Sequence, residues 1–167
     1  MQATAPRSES TTSALPAAAA GWQAILDALP VAGYTCDLTG HITFFNDRAQ
    51  VVWGRVPRIR DRRDLYCGSH RMFTKEGAPL THEQCWMALA LREDQSFNGR
   101  ALSIERPDGS CSSCLAYANP LHDSAGQLIG AVNLIASPTP VPDRTLAIIG
   151  VTLGVLAGLP WPTSAFA

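Results

Sequence analysis

Two cysteines and two histidines carry the sharpest chemical signal in the 167-residue chain. Cys67 and His70 form C-x-x-H, and after eleven intervening residues His82 and Cys85 form H-x-x-C. Thiolate and imidazole are the donors of tetrahedral zinc sites, and two short pairs joined by a loop can bring four such donors together. Gly68-Ser69 supplies a knuckle inside the first pair, while His82 and Cys85, at i and i+3, share one face of a helix. The competing expectation is that both thiols are small buried apolar groups and both imidazoles take local hydrogen bonds. A further pair, Cys111-Ser-Ser-Cys114, has C-x-x-C spacing, which serves redox or metal chemistry on a turn or helix start. On a strand, side chains alternate between faces, so one of these sulfurs is expected inward and the other outward.

Composition narrows what those residues serve. At 46% hydrophobic and 16% charged, the chain has enough apolar surface for a core. A net charge of −1 provides no global positive field, so no nucleic-acid partner is expected. Five cysteines, an odd number widely spaced, point to a reducing compartment and hence to a cytoplasmic location. Five arginines crowd into Arg55–Arg63, offset by Asp61 and followed by Asp64, with no aromatic among them. That pattern reads as a solvated loop, or a contact for an acidic partner, rather than a base-stacking surface. No nucleophile and base, carboxylate pair or phosphate loop stands at a defensible spacing, so no enzymatic activity is expected.

The elements that position these residues follow from periodicity and punctuation. Residues 1–21, rich in Ala, Ser, Thr and Pro, read as a disordered tail. Trp22, Ile25, Leu26 and Leu29 then recur at helical spacing until Pro30. Two β-rich runs, 32–37 and 41–45, flank a turn at Gly40. Asn46 supplies an N-cap for a short helix carrying Ala49, Val52 and Trp53, ending at Gly54. Residues 54–79, broken at Pro57, Gly77 and Pro79, form a long irregular region. A helix follows from Thr81 to about Glu93, and then three strands, 96–105, 110–119 and 128–136, are joined by turns at RPDG and DSAG.

This order, with the phrases ILDALPVAGYTCDLTGHITFFNDRAQVVWG, ERPDGS and LHDSAGQLIGAVNLIA, resembles a PAS domain over residues 22–137. The stretch CGSHRMFTKEGAPLTHEQCWMALAL is similar to a subgroup of PAS domains in bacterial sensor proteins. The resemblance implies an α+β fold, with a PAS-like five-stranded antiparallel sheet flanked by short helices around a small pocket. It also implies a sensory or signal-transduction module that binds a small ligand or a protein partner and signals by a population shift or dimer rearrangement. The alternatives are a ligand-free dimerisation module and a zinc- or haem-binding redox or gas sensor. The expected partners are a second copy of the chain or a separate signalling protein, such as a histidine kinase of a two-component system. Residues expected to line or gate the pocket are Tyr66, Cys67, His70, His82 and Cys85, with Trp53 as a packing wall and Asn133 as a polar group on the last strand. Haem would be held by His70 or His82, while the light-oxygen-voltage class keeps its reactive cysteine in Asn-Cys-Arg-Phe-Leu-Gln, from which the surroundings of Cys67 depart.

Residues 138–144 read as a Pro-rich linker to an apolar C-terminal tail, 145–167, that contains no charged residue. Its apolar stretch is fourteen residues long, from Leu146 to Leu159, whereas a spanning helix needs about 20. Gly150, Gly154 and Gly158 repeat a spacing that lets helix backbones approach closely. Three readings stand: a segment packed on the sheet or on a second subunit, a membrane-associated tail, and a non-native terminus.

Overall fold

In a computed structural model, residues 15–167 are described, with side chains from Gly21 onward. In chain order the elements are α1 (Leu15–Asp27), β1 (Ala32–Asp37), β2 (Ile42–Phe45), α2 (Asp47–Trp53), β3 (Arg71–Phe73) and β4 (Pro79–Leu80). A 3-10 turn (His82–Gln84) leads into α3 (Trp86–Glu93), followed by β5 (Phe97–Glu105), β6 (Cys111–His122), β7 (Leu128–Ala136) and α4 (Asp143–Ala157). The strands form one antiparallel sheet in the order β2-β1-β7-β6-β5-β3-β4.

The sheet therefore has seven strands where five were expected. The expected five occupy one side of it, and the addition is the hairpin β3–β4, which continues the sheet beyond β5 through Arg71–Glu105, Met72–Ile104 and Phe73–Ser103. Its strands span only three and two residues, too short for alternation to be visible in the sequence. Gly77, at φ 86°, closes the turn.

The N-terminal helix also starts earlier than expected. It begins at Leu15, inside the stretch read as a tail, because alanine is the strongest helix former and four alanines run together there. Residues 1–14 of the expected tail lie outside the described residues.

Two apolar layers sandwich the sheet. On the inner face Tyr34, Cys36, Cys114, Ala116, Ala131 and Ile135 pack against Trp53 of α2 and Met87 and Leu91 of α3. On the outer face Val132 and Leu134 meet Trp22 and Leu26 of α1, Ile149 and Leu156 of α4, and the closing residues Trp161 and Phe166. β7 runs between the two layers, which is why LIGAVNLIA reads as a continuous apolar run rather than an alternating one.

Asn46 is the joint between helix and sheet. Its Oδ1 accepts from Ala49 N as the N-cap of α2 and from Gly33 N of β1, both at 3.0 Å. Its Nδ2 donates to Leu26 O at 2.7 Å and to Val31 O at 3.0 Å, so one buried amide satisfies four backbone groups. The C-terminal segment lies on the sheet: α4 buries Ile149, Thr152 and Leu156. Among the described residues no helix is long and apolar enough to cross a membrane.

Candidate functional site

The segment between α2 and α3 covers the inner face of the sheet, and the candidate site is the seam between them. Tyr34 and Cys36, alternate residues of β1, point inward. Opposite them, α2 ends in Trp53, fully buried and edge-on to Tyr34 with centroids 5.0 Å apart. Gly68 passes so close beneath that a Cβ there would overlap the Trp53 ring. Cys67, beside it, and Cys85, at the start of α3, complete a buried group of thiols around the tyrosine.

This interior holds no charged side chain and keeps its titratable groups neutral. Burial pushes the Cys36 and Tyr34 groups well up, with neighbouring thiols adding to the effect. Burial likewise pushes Cys85 up to about 12 and raises Cys67, against the nearby Ser69, Tyr34 and Trp53 groups that favour its thiolate. The indole N–H of Trp53 is buried without a hydrogen-bond partner. Its neighbour, the Cys67 sulfur, is a weak acceptor.

A polar chain joins the covering segment to the centre of the sheet. The Tyr34 hydroxyl donates to Tyr66 O at 3.0 Å, Asn133 Nδ2 donates to the Tyr34 oxygen at 3.1 Å, and Tyr117 N donates to Asn133 Oδ1 at 3.1 Å. Tyr66 takes a left-handed φ of 65°, which costs a non-glycine residue energy and fits a backbone held in place from several sides.

Outside the interior lies an open cleft of about 320 Å³, lined by Arg55, Arg62, Cys67, Ser69, His70 and His82 among others. Cys67 borders both cleft and core. The near wall is fixed by Asp64: its Oδ1 accepts from Arg55 Nη2 at 2.7 Å and its Oδ2 from Arg58 N at 2.9 Å. Burial works to raise Asp64, but the Arg58 N–H and the Arg55 guanidinium outweigh it and hold the carboxyl below its ordinary value. Arg55 Nη1 also donates to Gly68 O at 2.8 Å, tying the loop to the cover of the core.

The sequence-derived candidates thus separate by place. Trp53, Cys67 and Cys85 are interior, Tyr66 and Asn133 belong to the hydrogen-bonded chain, and His70 and His82 line the cleft. The four residues Cys67, His70, His82 and Cys85 are not gathered as a tetrahedral set: among the described residues no three His, Cys, Asp or Glu side chains are placed to hold a metal ion. Both thiols turn into the core, His70 is exposed, and His82 Nε2 donates to the Ser69 carbonyl at 3.0 Å. Cys111 and Cys114 divide as strand alternation requires, the first exposed and the second buried. Sequence reasoning missed Tyr34 and Cys36, whose period-two spacing on β1 was the available signal, and the Arg55–Asp64 clamp, which has no local signature.

No protein-family model and no curated protein matches the sequence. Solved structures do share its fold. The LOV protein of Rhodobacter sphaeroides is 11% identical, with a TM-score of 0.57 over 84% of this chain and 82% of that one. The RsLOV d2 variant is 13% identical, with a TM-score of 0.52 over 83% and 91%. The PAS domain of an HTR-like protein from Haloarcula marismortui is 16% identical, with a TM-score of 0.48 over 74% and 93%. The chain has the PAS fold. Within the PAS fold, the seam between the inner face and the segment joining α2 to α3 is the position that Trp53 and the thiols fill here. The β3–β4 hairpin is part of that joining segment and extends the sheet beyond β5.

Proposed function

We propose that the protein is a sensory signalling module whose input is a small ligand at the cleft beside Cys67, His70 and His82. Its output is a shift in how residues 54–85 sit on the sheet. The observation that carries this reading is the chain Tyr66 O, Tyr34, Asn133, Tyr117 N, which joins the residue between the cleft-lining Leu65 and Cys67 to strands β1, β7 and β6. A ligand that favours one position of the segment also favours one state of that chain, and differential affinity is all a population shift requires. β7 is shared by both apolar layers, so a change at Asn133 reaches the face carrying α1 and α4. The receiver is a second copy of the chain or a separate signalling protein. The interior supports ligands that are small and uncharged at most, because Trp53 occupies it and no charged group lines it. The neighbouring solved proteins named as LOV proteins support the sensory reading at the level of fold.

Tyr34→Phe tests the relay without any ligand. The ring stays and the hydroxyl goes, so hydrogen–deuterium exchange should quicken both at residues 64–69 and at the β6–β7 amides near Tyr117. Faster exchange confined to residues 64–69 would overturn the relay.

A further inference from the structure

The arginine-rich loop has one member that the fold does not use. Arg55 and Arg58 hold Asp64. Arg63 grips Asp61 through Nε at 2.9 Å and Nη2 at 2.6 Å. Arg60 donates to the Phe166 carbonyl at 3.4 Å. Arg62 alone of the five has no hydrogen bond or ion pair among the described residues, and it lines the cleft.

Two of the groups that share the cleft with Arg62 are held in place. The clamp on Asp64 fixes the Arg55 guanidinium. His82 has its Nε2 proton committed to Ser69 O, which fixes the ring as part of the wall, and His70 is solvent-exposed on the same cleft. Two carboxylates face them. Asp64 is neutralised by its arginines, whereas Glu83 stands exposed without an ion-pair partner among the described residues. Leu65 and Cys67 add the apolar part of the wall, and a volume of about 320 Å³ suits a ligand of a few heavy atoms.

We propose that the cleft binds a small oxyanion, a carboxylate or phosphate group, against Arg62, with His70 alongside. Charge-assisted hydrogen bonds from a guanidinium are the strongest polar contacts available to such a group, and Arg presents them in a planar fork. Glu83 limits the ligand: a second negative end would lie against its carboxylate, so the anionic group sits on the Arg62 side. This inference rests on the reading of the cleft as the input end and gives that input a chemical class.

The test is calorimetric titration of the full chain with inorganic phosphate and, separately, with acetate, at constant ionic strength set by potassium chloride. Saturable binding of either is expected, and which of the two binds more tightly says whether a phosphoryl or a carboxylate group is preferred. Arg62→Ala, an exposed change that leaves the fold intact, should weaken binding about tenfold. Glu83→Gln should tighten it, an effect that a merely structural role would not produce. Absence of saturable binding for both anions overturns the proposal, as does an Arg62→Ala affinity equal to that of the parent chain. The exchange experiment on Tyr34→Phe contains no added anion, so failure of the relay and failure of the anion site are read separately.

Discussion

Four of the five cysteines face the interior, where they pack as small apolar groups. Cys36, Cys67, Cys85 and Cys114 are all buried, and burial raises each thiol. Tyr34 is raised for the same reason. An acid whose folded value lies above its unfolded one stays protonated in the folded chain after the unfolded chain has begun to ionise. The stability these thiols contribute is therefore complete below the ordinary thiol value of about 8.5 and is lost as pH rises toward the folded values, about 12 for Cys85. The urea midpoint should hold steady up to about pH 8 and fall above about pH 9, less steeply in Cys85→Ala. A midpoint that is flat through this window in the parent chain would mean the thiols reach water. The C-x-x-H and H-x-x-C spacing was legible in the sequence, but the direction in which each side chain points was not. Helix start, loop path and core packing decide that Cys67 and Cys85 turn inward while His70 turns out.

At the scale of elements, long runs announced themselves and short ones did not. β1 and β7 coincide with the expected strands, because each keeps its apolar pattern over six or nine residues. The hairpin β3–β4 left no pattern, and its pairing to β5 is a tertiary choice. Glycines show the same division between local and global causes. Gly54, at φ 65°, ends α2 in a left-handed cap that the sequence could suggest. Gly68 is required for a reason invisible locally, the Trp53 ring pressed against it. Gly150 and Gly154 are required by nothing among the described residues, since a Cβ at either meets no atom of them within 4 Å. Gly154→Ala should therefore raise unfolding free energy by up to about 1 kcal/mol through helix propensity. Gly68→Ala should lower it by about 1–3 kcal/mol through overpacking against a ring that cannot yield. Both are read from denaturant midpoints at unchanged m-value. Equal effects of the two would remove the distinction between a helix exposed to solvent and a backbone under the core.

For the whole molecule, the question left by the sequence is what residues 145–167 are for, and three parts of the outer face bear on it. Trp22 of α1 meets Phe44, Trp161 and Phe166 with centroids between 5.3 and 5.7 Å, so the two ends of the described chain share one aromatic cluster. Trp161 Nε1 donates to Leu156 O at 2.7 Å, and Thr163 Oγ1 donates to Asp123 Oδ2 at 3.1 Å, which ties the segment after α4 to the turn between β6 and β7. Gly130 leaves room for the Phe166 ring, since a Cβ there would collide with it. These contacts fit a segment that completes the outer layer better than one that leaves it for a membrane. Burying a large apolar side chain is worth about 1.5–3 kcal/mol, and Ile149, Leu156, Trp161 and Phe166 are all buried. A chain ending at Pro142 should therefore lose more than about 4 kcal/mol of unfolding free energy, or associate through the uncovered Val132 and Leu134. Urea unfolding together with size-exclusion chromatography separates these outcomes. A shortened chain that stays monomeric with an unchanged midpoint would mean the segment adds nothing to the sheet, and the readings of it as a membrane-associated tail or a non-native terminus would then stand.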